Sequence, residues 1–129
     1  MEEQNQEFLF KLSMFDQQIR QMQQQIKAVD DGIVELESLN IDLDDMKNSE
    51  GKEILAPIGR GIFAKAKLVS EEFLVDVGDR NFVKKSVDET KAMIKKQVEK
   101  LQEIRKELDV GLEQLSKEIE KVIAESEKK

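Results

Sequence analysis

Two long stretches of this chain repeat apolar residues at spacings that alternate between four and three. The first runs Phe8, Leu12, Phe15, Ile19, Met22, Ile26, Val29, Ile33 and Leu36, and continues in register through Asn40 to Leu43. A repeat of 3.5 residues predicts a coiled-coil helix with one narrow apolar seam. Asn40 is the polar member of this seam, and a lone Asn there sets register at some cost in stability. The second stretch reads Val87, Lys91, Ile94, Val98, Leu101, Arg105, Leu108, Leu112, Leu115, Ile119 and Val122, with Lys91 and Arg105 as its polar members. Each seam covers 36 residues, roughly 54 Å of helix at 1.5 Å per residue.

Between the seams the period changes from 3.5 to 2. Ile62, Ala64, Ala66 and Leu68 alternate with Phe63, Lys65, Lys67 and Val69, and Phe73, Val75 and Val77 alternate with Leu74 and Asp76. Such alternation predicts half-buried strands. Turn residues at Gly59-Arg60-Gly61, Ser70-Glu71 and Gly78-Asp79-Arg80 divide residues 53–86 into up to four strands in two hairpins. Pro57 cannot donate to a ladder, which places its strand at an edge. A four-stranded piece with open edges is marginal alone and invites pairing with other chains. The predicted fold is therefore mainly α: a long antiparallel coiled-coil hairpin joined by a small β head of two hairpins that assembles with other subunits. Residues 1–48 form its first helix, 53–85 the β head for oligomerisation and 86–129 its second helix, in one unit spanning 1–129.

The ends of the helices are legible too. Asn48-Ser49-Glu50-Gly51 offers residues that adopt the left-handed conformation closing a helix. Ser86-Val87-Asp88-Glu89 is a capping-box pattern for the second helix. If the chain folds back through the head, Leu43 meets Val87, Asn40 falls opposite Lys91, and Phe8 meets Val122. Charge favours that pairing: residues 30–50 hold eight acids and one lysine, whereas 84–106 hold eight basic residues and four acids. Exposed pairs are worth about 0–1 kcal/mol each, so they select register more than they stabilise it.

Composition narrows the function classes. Charged residues make up 38% and aromatics 5%, which suits solvated helices better than a globular core. The net charge of −7 argues against nucleic acid and against anionic membrane surfaces as partners. With no Cys and no His, thiolate chemistry, the commonest general base and the commonest transition-metal ligand are all missing. Gly59-Arg60-Gly61 lacks the Gly-Lys-Ser/Thr of a phosphate loop. Asp42, Asp44 and Asp45 lack the glycine and distal Glu of a calcium loop, and are read as partners for the basic second helix. The start of the chain lacks the features of a signal peptide, and no apolar run reaches the length of a membrane span. The expectation is a cytoplasmic protein with no catalytic residues, no metal and no cofactor.

The order coiled-coil arm, two β hairpins, coiled-coil arm resembles the alpha-class subunit of archaeal-type prefoldin. Three stretches carry the likeness locally. Ile54-Leu55-Ala56-Pro57-Ile58-Gly59 is similar to the family's first strand, and Phe73-Leu74-Val75-Asp76-Val77-Gly78 to its third. Phe82-Val83-Lys84-Lys85-Ser86, followed by Asp88-Glu89, is similar to its entry into the second arm. The chain departs at Asn81-Phe82, where the family often has a glycine before the aromatic, and at Thr90, where many members have Ala. The resemblance implies a hetero-oligomeric hexamer of two alpha and four prefoldin beta subunits. It also implies ATP-independent capture of non-native polypeptides and their delivery to a group II chaperonin.

Within that reading, apolar residues at the arm tips are the candidate client-binding set: Phe8, Leu9, Phe10, Leu12, Met14, Val122 and Ile123. With Phe8 at heptad position d, Leu9 falls at e, Phe10 at f and Met14 at c, so Phe10 points away from the partner helix. Ile54, Ile58, Ile62, Phe63, Leu68, Phe73, Val75, Val77 and Phe82 are the candidate oligomerisation residues of the head. Leu39, Ile41 and Met46 are expected to pack under the strands. Gly32 and Gly111 are read either as bending points or as tolerated helix glycines, and Gln17, Gln18, Gln21, Gln23, Gln24 and Gln25 as a solvated face. The rival function is a structural coiled-coil tether or filament former joined through the β head, which predicts polar, inert tips.

Overall fold

A computed structural model describes residues 2–127; the outermost residues of the two predicted helical segments, 1, 128 and 129, lie outside the described residues. The elements are α1 (Glu2–Asp45), β1 (Glu53–Gly59), β2 (Ile62–Lys67), β3 (Phe73–Asp76), β4 (Phe82–Lys85) and α2 (Val87–Glu127). Two long helices thus enclose four antiparallel strands in two hairpins, as the change of period predicts. The chain forms two compact units.

One unit is built from α1 up to Ile33 and from α2 beyond Glu99. Every seam position in it, from Phe8 to Ile33 and from Leu101 to Val122, is half-buried or buried, and Leu115 is its most buried apolar residue at 8% exposure. The helices run antiparallel. Arg105 Nε donates to Asp30 Oδ1 over 2.9 Å. Cross-helix contacts are displaced in a consistent direction. With Leu43 level with Val87, Arg105 lies opposite Ile26 yet reaches Asp30, four residues further along α1. Leu101 lies opposite Val29 and comes close to Gly32; Met22 lies opposite Leu108 and comes close to Gly111. Side chains on a helix lean toward its N-terminus, so two antiparallel helices displace their contacts in this sense.

The other unit, Val34–Val98, holds the strands and the helix segments beside them. Its core is small: Leu43, Val87 and Ile94 are buried together, with Leu36, Phe73 and Val98 packed around them. Leu43 and Val87 therefore share one cluster, as the layer register predicts. Asn40 and Lys91 do not pair. Lys91 Nζ turns to Asp44, one turn further along α1, in the displacement seen above, and Asn40 Oδ1 is left buried without a hydrogen-bond partner. Of the three clustered acids, Asp44 is the one found in an ion pair among the described residues. Lys47 Nζ also lies 2.9 Å from Asp88 Oδ1. That hydrogen bond, with the attraction behind it, holds the Asp88 carboxyl below its ordinary value and raises the Lys47 ammonium.

α1 ends at Asp45, three residues inside the predicted limit. The amides of Met46 and Lys47 bond three residues back, to Leu43 and Asp44, which tightens the last turn. Ser49 Oγ donates to the Asp45 carbonyl over 2.8 Å, satisfying one of the carbonyls that a helix end leaves free. Asn48 and Gly51 take φ of 58° and 85° and turn the chain into β1. α2 opens on the predicted capping box. Glu89 N donates to Ser86 Oγ (3.1 Å) and Ser86 N to Glu89 Oε1 (3.3 Å). Thr90, the departure from the family pattern, is buried, and its hydroxyl donates to the Ser86 carbonyl over 2.8 Å.

The strands form two separate two-stranded sheets, β1-β2 and β3-β4. β1 and β2 pair from Glu53↔Lys67 to Gly59↔Ile62, with a bulge between Pro57 and Gly59. Arg60 and Gly61 both have positive φ (49° and 78°), the two-residue turn whose twist matches that of the strands. β3 and β4 pair from Phe73↔Lys85 to Asp76↔Phe82. Asp79 and Arg80, again at positive φ, close them, with Asn81 N donating to the Gly78 carbonyl.

Candidate functional site

Two surfaces, one in each unit, gather groups of exposed apolar side chains; Val34, Ile104 and Val110 are exposed elsewhere along the helices. In the helical unit, toward the start of α1 and the end of α2, Phe8, Leu12 and Val122 are half-buried in the seam. Leu9, Phe10, Met14 and Ile123 are exposed, Phe10 most of all at 66%. Heptad geometry accounts for this: positions e, f and c turn a side chain away from the facing helix. A helix keeps its backbone bonded internally, so these side chains stand on a rigid rod with no surrounding loop to cover them. Such a strip can take up apolar segments of another chain by contact alone, and the pliable thioether of Met14 adapts to different shapes.

The second surface is the strand region. Ile54, Ala56, Ala64, Ala66 and Leu68 form the half-buried face of the first sheet, and Phe73 and Val75 that of the second. Phe63 and Phe82 are exposed, as are Ile58, Ile62 and Val77. Two of these depart from the alternation. Ile62 adjoins the Arg60–Gly61 turn and Val77 lies one residue past the end of β3, so each sits where the strand has left its packed neighbours. Sequence reasoning passed over Leu55, Val69 and Leu74, exposed at 64%, 85% and 67%. They occupy the opposite phase of the alternation, and an apolar residue on a predicted polar face was the available signal. Leu39 and Ile41 correct an expectation: they do not pack under the strands but are exposed, while Met46 is half-buried. Both stand off the α1 seam, at heptad positions g and b, and a two-stranded ribbon is too narrow to cover them.

Among the described residues, titratable groups lie along the helices and strands, and the resolved shifts are those of the exposed Lys47–Asp88 pair. No described helix is long and apolar enough to cross a membrane.

Comparison with known proteins identifies the architecture. The family model for prefoldin subunits matches residues 15–129. The prefoldin subunit alpha of Methanobrevibacter smithii is 30% identical over 122 residues, covering 94% of this chain and 84% of that one. The prefoldin subunit alpha of Thermofilum pendens is 30% identical over 114 residues, covering 87% and 83%. Among solved structures, a chain from the cryo-EM structure of filamentous prefoldin of Methanocaldococcus jannaschii superposes with a TM-score of 0.80. It is 26% identical, and the match covers 88% of this chain and 96% of that one. With two long helices, two hairpins between them and relatives of this kind, the chain belongs to the prefoldin family as a subunit of the alpha type.

Proposed function

We propose that this chain is the alpha subunit of an ATP-independent holdase. It assembles with prefoldin beta subunits through its strands, two alpha with four beta, captures unfolded polypeptides with its helix tips, and passes them to a group II chaperonin in the cytoplasm. The observation that carries the reading is the exposure of Phe10, with Leu9, Met14 and Ile123, on bare helix ends. One tip offers a few side chains and binds at about millimolar affinity; several tips joined through one head gain about 10²–10⁴ from effective concentration. Capture needs no chemistry.

The test is Phe10→Ser in the assembled complex, read as suppression of aggregation of an unfolded client and as solution mass. The expected result is weaker capture at unchanged mass. Unchanged capture by a normally assembled variant would sink the tip reading. The filamentous state of the similar Methanocaldococcus protein favours a second reading, a homo-oligomeric filament or tether. Light scattering of the chain alone and with a one-hairpin relative separates the two. A hexamer that needs the partner supports the holdase, and a growing homopolymer supports the filament.

A further inference from the structure

Charge is spread unevenly around the exposed apolar side chains of the helical unit. With Phe8 and Val122 each at position d of its own seam, Leu9 and Ile123 both fall at e. In an antiparallel pair the e positions of the two helices flank the same side of the seam, and f, where Phe10 stands, adjoins it. Over residues 3–20 of α1 and 113–127 of α2, positions e, b and f hold five acids and two bases. Both bases are engaged within their own helices. Arg20 Nε lies 3.2 Å from Asp16 Oδ2, and Lys117 Nζ lies 3.8 Å from Glu113 Oε1. The acids left over are Glu3, Glu120 and Glu127, all exposed. Lys11 and Lys121 fall at g and c, on the opposite side, together with Glu7, Glu118, Glu125 and Met14. Lys128 and Lys129 lie outside the described residues.

These acids stand where a guest on the apolar side chains would feel them. Glu120 is three residues before Ile123 and Glu127 four after it, the spacings at which side chains neighbour each other on a helix surface. Ile123 is therefore bracketed by carboxylates. Phe10, 66% exposed, presents an open ring whose negative face attracts an ammonium or guanidinium group. Apolar contact and negative potential call for the same guest: an apolar segment with Lys or Arg beside its apolar residues. The long stems of those cations lie along apolar surface while their heads reach the carboxylates. An equally apolar segment flanked by Asp or Glu meets like charge instead. Screening over about 8 Å at physiological salt confines the effect to charges close to the contact.

We propose that the side of the helical unit carrying Leu9, Phe10 and Ile123 selects among non-native chains by charge, taking apolar segments flanked by Lys or Arg over equally apolar segments flanked by Asp or Glu. The inference rests on the tip reading of the proposed function and names the class of client that the tip favours. Exposed ion pairs are weak, so the preference is about threefold at one tip and about tenfold where two tips of this kind hold one client.

The test uses two fluorescent peptides with the same Leu and Phe positions, flanked by lysines in one and by glutamates in the other. Each is titrated onto the full chain assembled with a one-hairpin subunit. The lysine peptide should bind about threefold to tenfold more tightly. Glu120→Lys/Glu127→Lys should bring that ratio to about one or below at unchanged solution mass, and Glu120→Gln/Glu127→Gln should bring it part of the way. Salt at about 1 M, where the screening length is about 3 Å, should shrink the ratio in the unmodified chain. Equal binding of the two peptides by the unmodified chain overturns the proposal, as does a ratio that the charge reversal leaves in place. Should the peptides bind alike and Phe10→Ser weaken both, selection by charge falls and the tip reading stands. Should the reversal abolish the ratio while Phe10→Ser changes neither affinity, the tip reading falls and the proposal with it, because charge alone then holds the peptide.

Discussion

The helical unit and the strand unit treat apolar surface in opposite ways. In the helical unit every seam position is at least half-buried, and the apolar residues left exposed, Leu9, Phe10, Met14, Ile104, Val110 and Ile123, lie off the seam. In the strand unit the core is three buried residues, and the ribbons present Leu55, Ile58, Phe63, Leu74 and Phe82 to solvent. The difference is one of hydrogen bonding. A helix satisfies its backbone within itself and needs a single partner for its stripe. A two-stranded ribbon leaves an open edge on each side and a face on each side, so it is complete only when other strands add to it. Under the proposed function, exposure therefore means different things in the two places: a client-binding surface on the tips, an assembly interface on the strands.

The most forceful way to break this comparison is to empty each core. Ile94→Ala, at the 2%-exposed centre of the strand unit, should cost about 2–4 kcal/mol, read by thermal denaturation. Leu115→Ala, 8% exposed in the helical seam, should cost less, because neighbouring layers can close over a gap at a two-helix interface. Equal losses would mean the two units do not differ in packing. Next in size is Asn40→Leu. It removes a buried Oδ1 with no partner and should stabilise the chain by about 1 kcal/mol, while loosening register because Asn no longer excludes shifted pairings. A fall in melting temperature would mean that Asn40 is satisfied in solution.

The two helix glycines give a finer contrast. A Cβ at Gly32 would stand 3.4 Å from Leu101 Cδ1, an ordinary contact, whereas at Gly111 it would stand 3.0 Å from Met22 Cε. Gly32→Ala should gain about 1 kcal/mol from helix propensity. Gly111→Ala should gain less, as Met22 must move. Gly111 is thus placed by close approach of Met22, which gives it a packing reason apart from bending. The smallest effect expected is that of the exposed Lys47–Asp88 pair. Asp88 has a lowered pKa, so its contribution is present above the ordinary carboxylate range and is lost as pH falls through the lowered value. Lys47 has a raised pKa, so its contribution is lost only as pH rises through that value. Asp88→Asn should flatten the acid side of the stability profile, and an unchanged acid limb would show that the pair contributes nothing measurable.

Residue pattern alone determined the element types, the seam and the capping box at Ser86, because each rests on local spacing: 3.5 for a seam, 2 for a strand, a polar side chain three residues before its partner. The prefoldin resemblance was legible for the same reason, in short stretches around Pro57, Gly78 and Lys84. Exposure of Phe10 followed from its heptad position. Tertiary structure decided what depends on three-dimensional reach. Lys91 turns to Asp44 and leaves Asn40 alone, since side chains lean along the helix. Leu39 and Ile41 stay bare, since a ribbon of two strands is narrower than the helix face beside it. The division of four strands into two sheets was likewise a tertiary decision. Alternation tells which residues share a face, but hydrogen-bond partners across a sheet are chosen by where the chain brings the edges together.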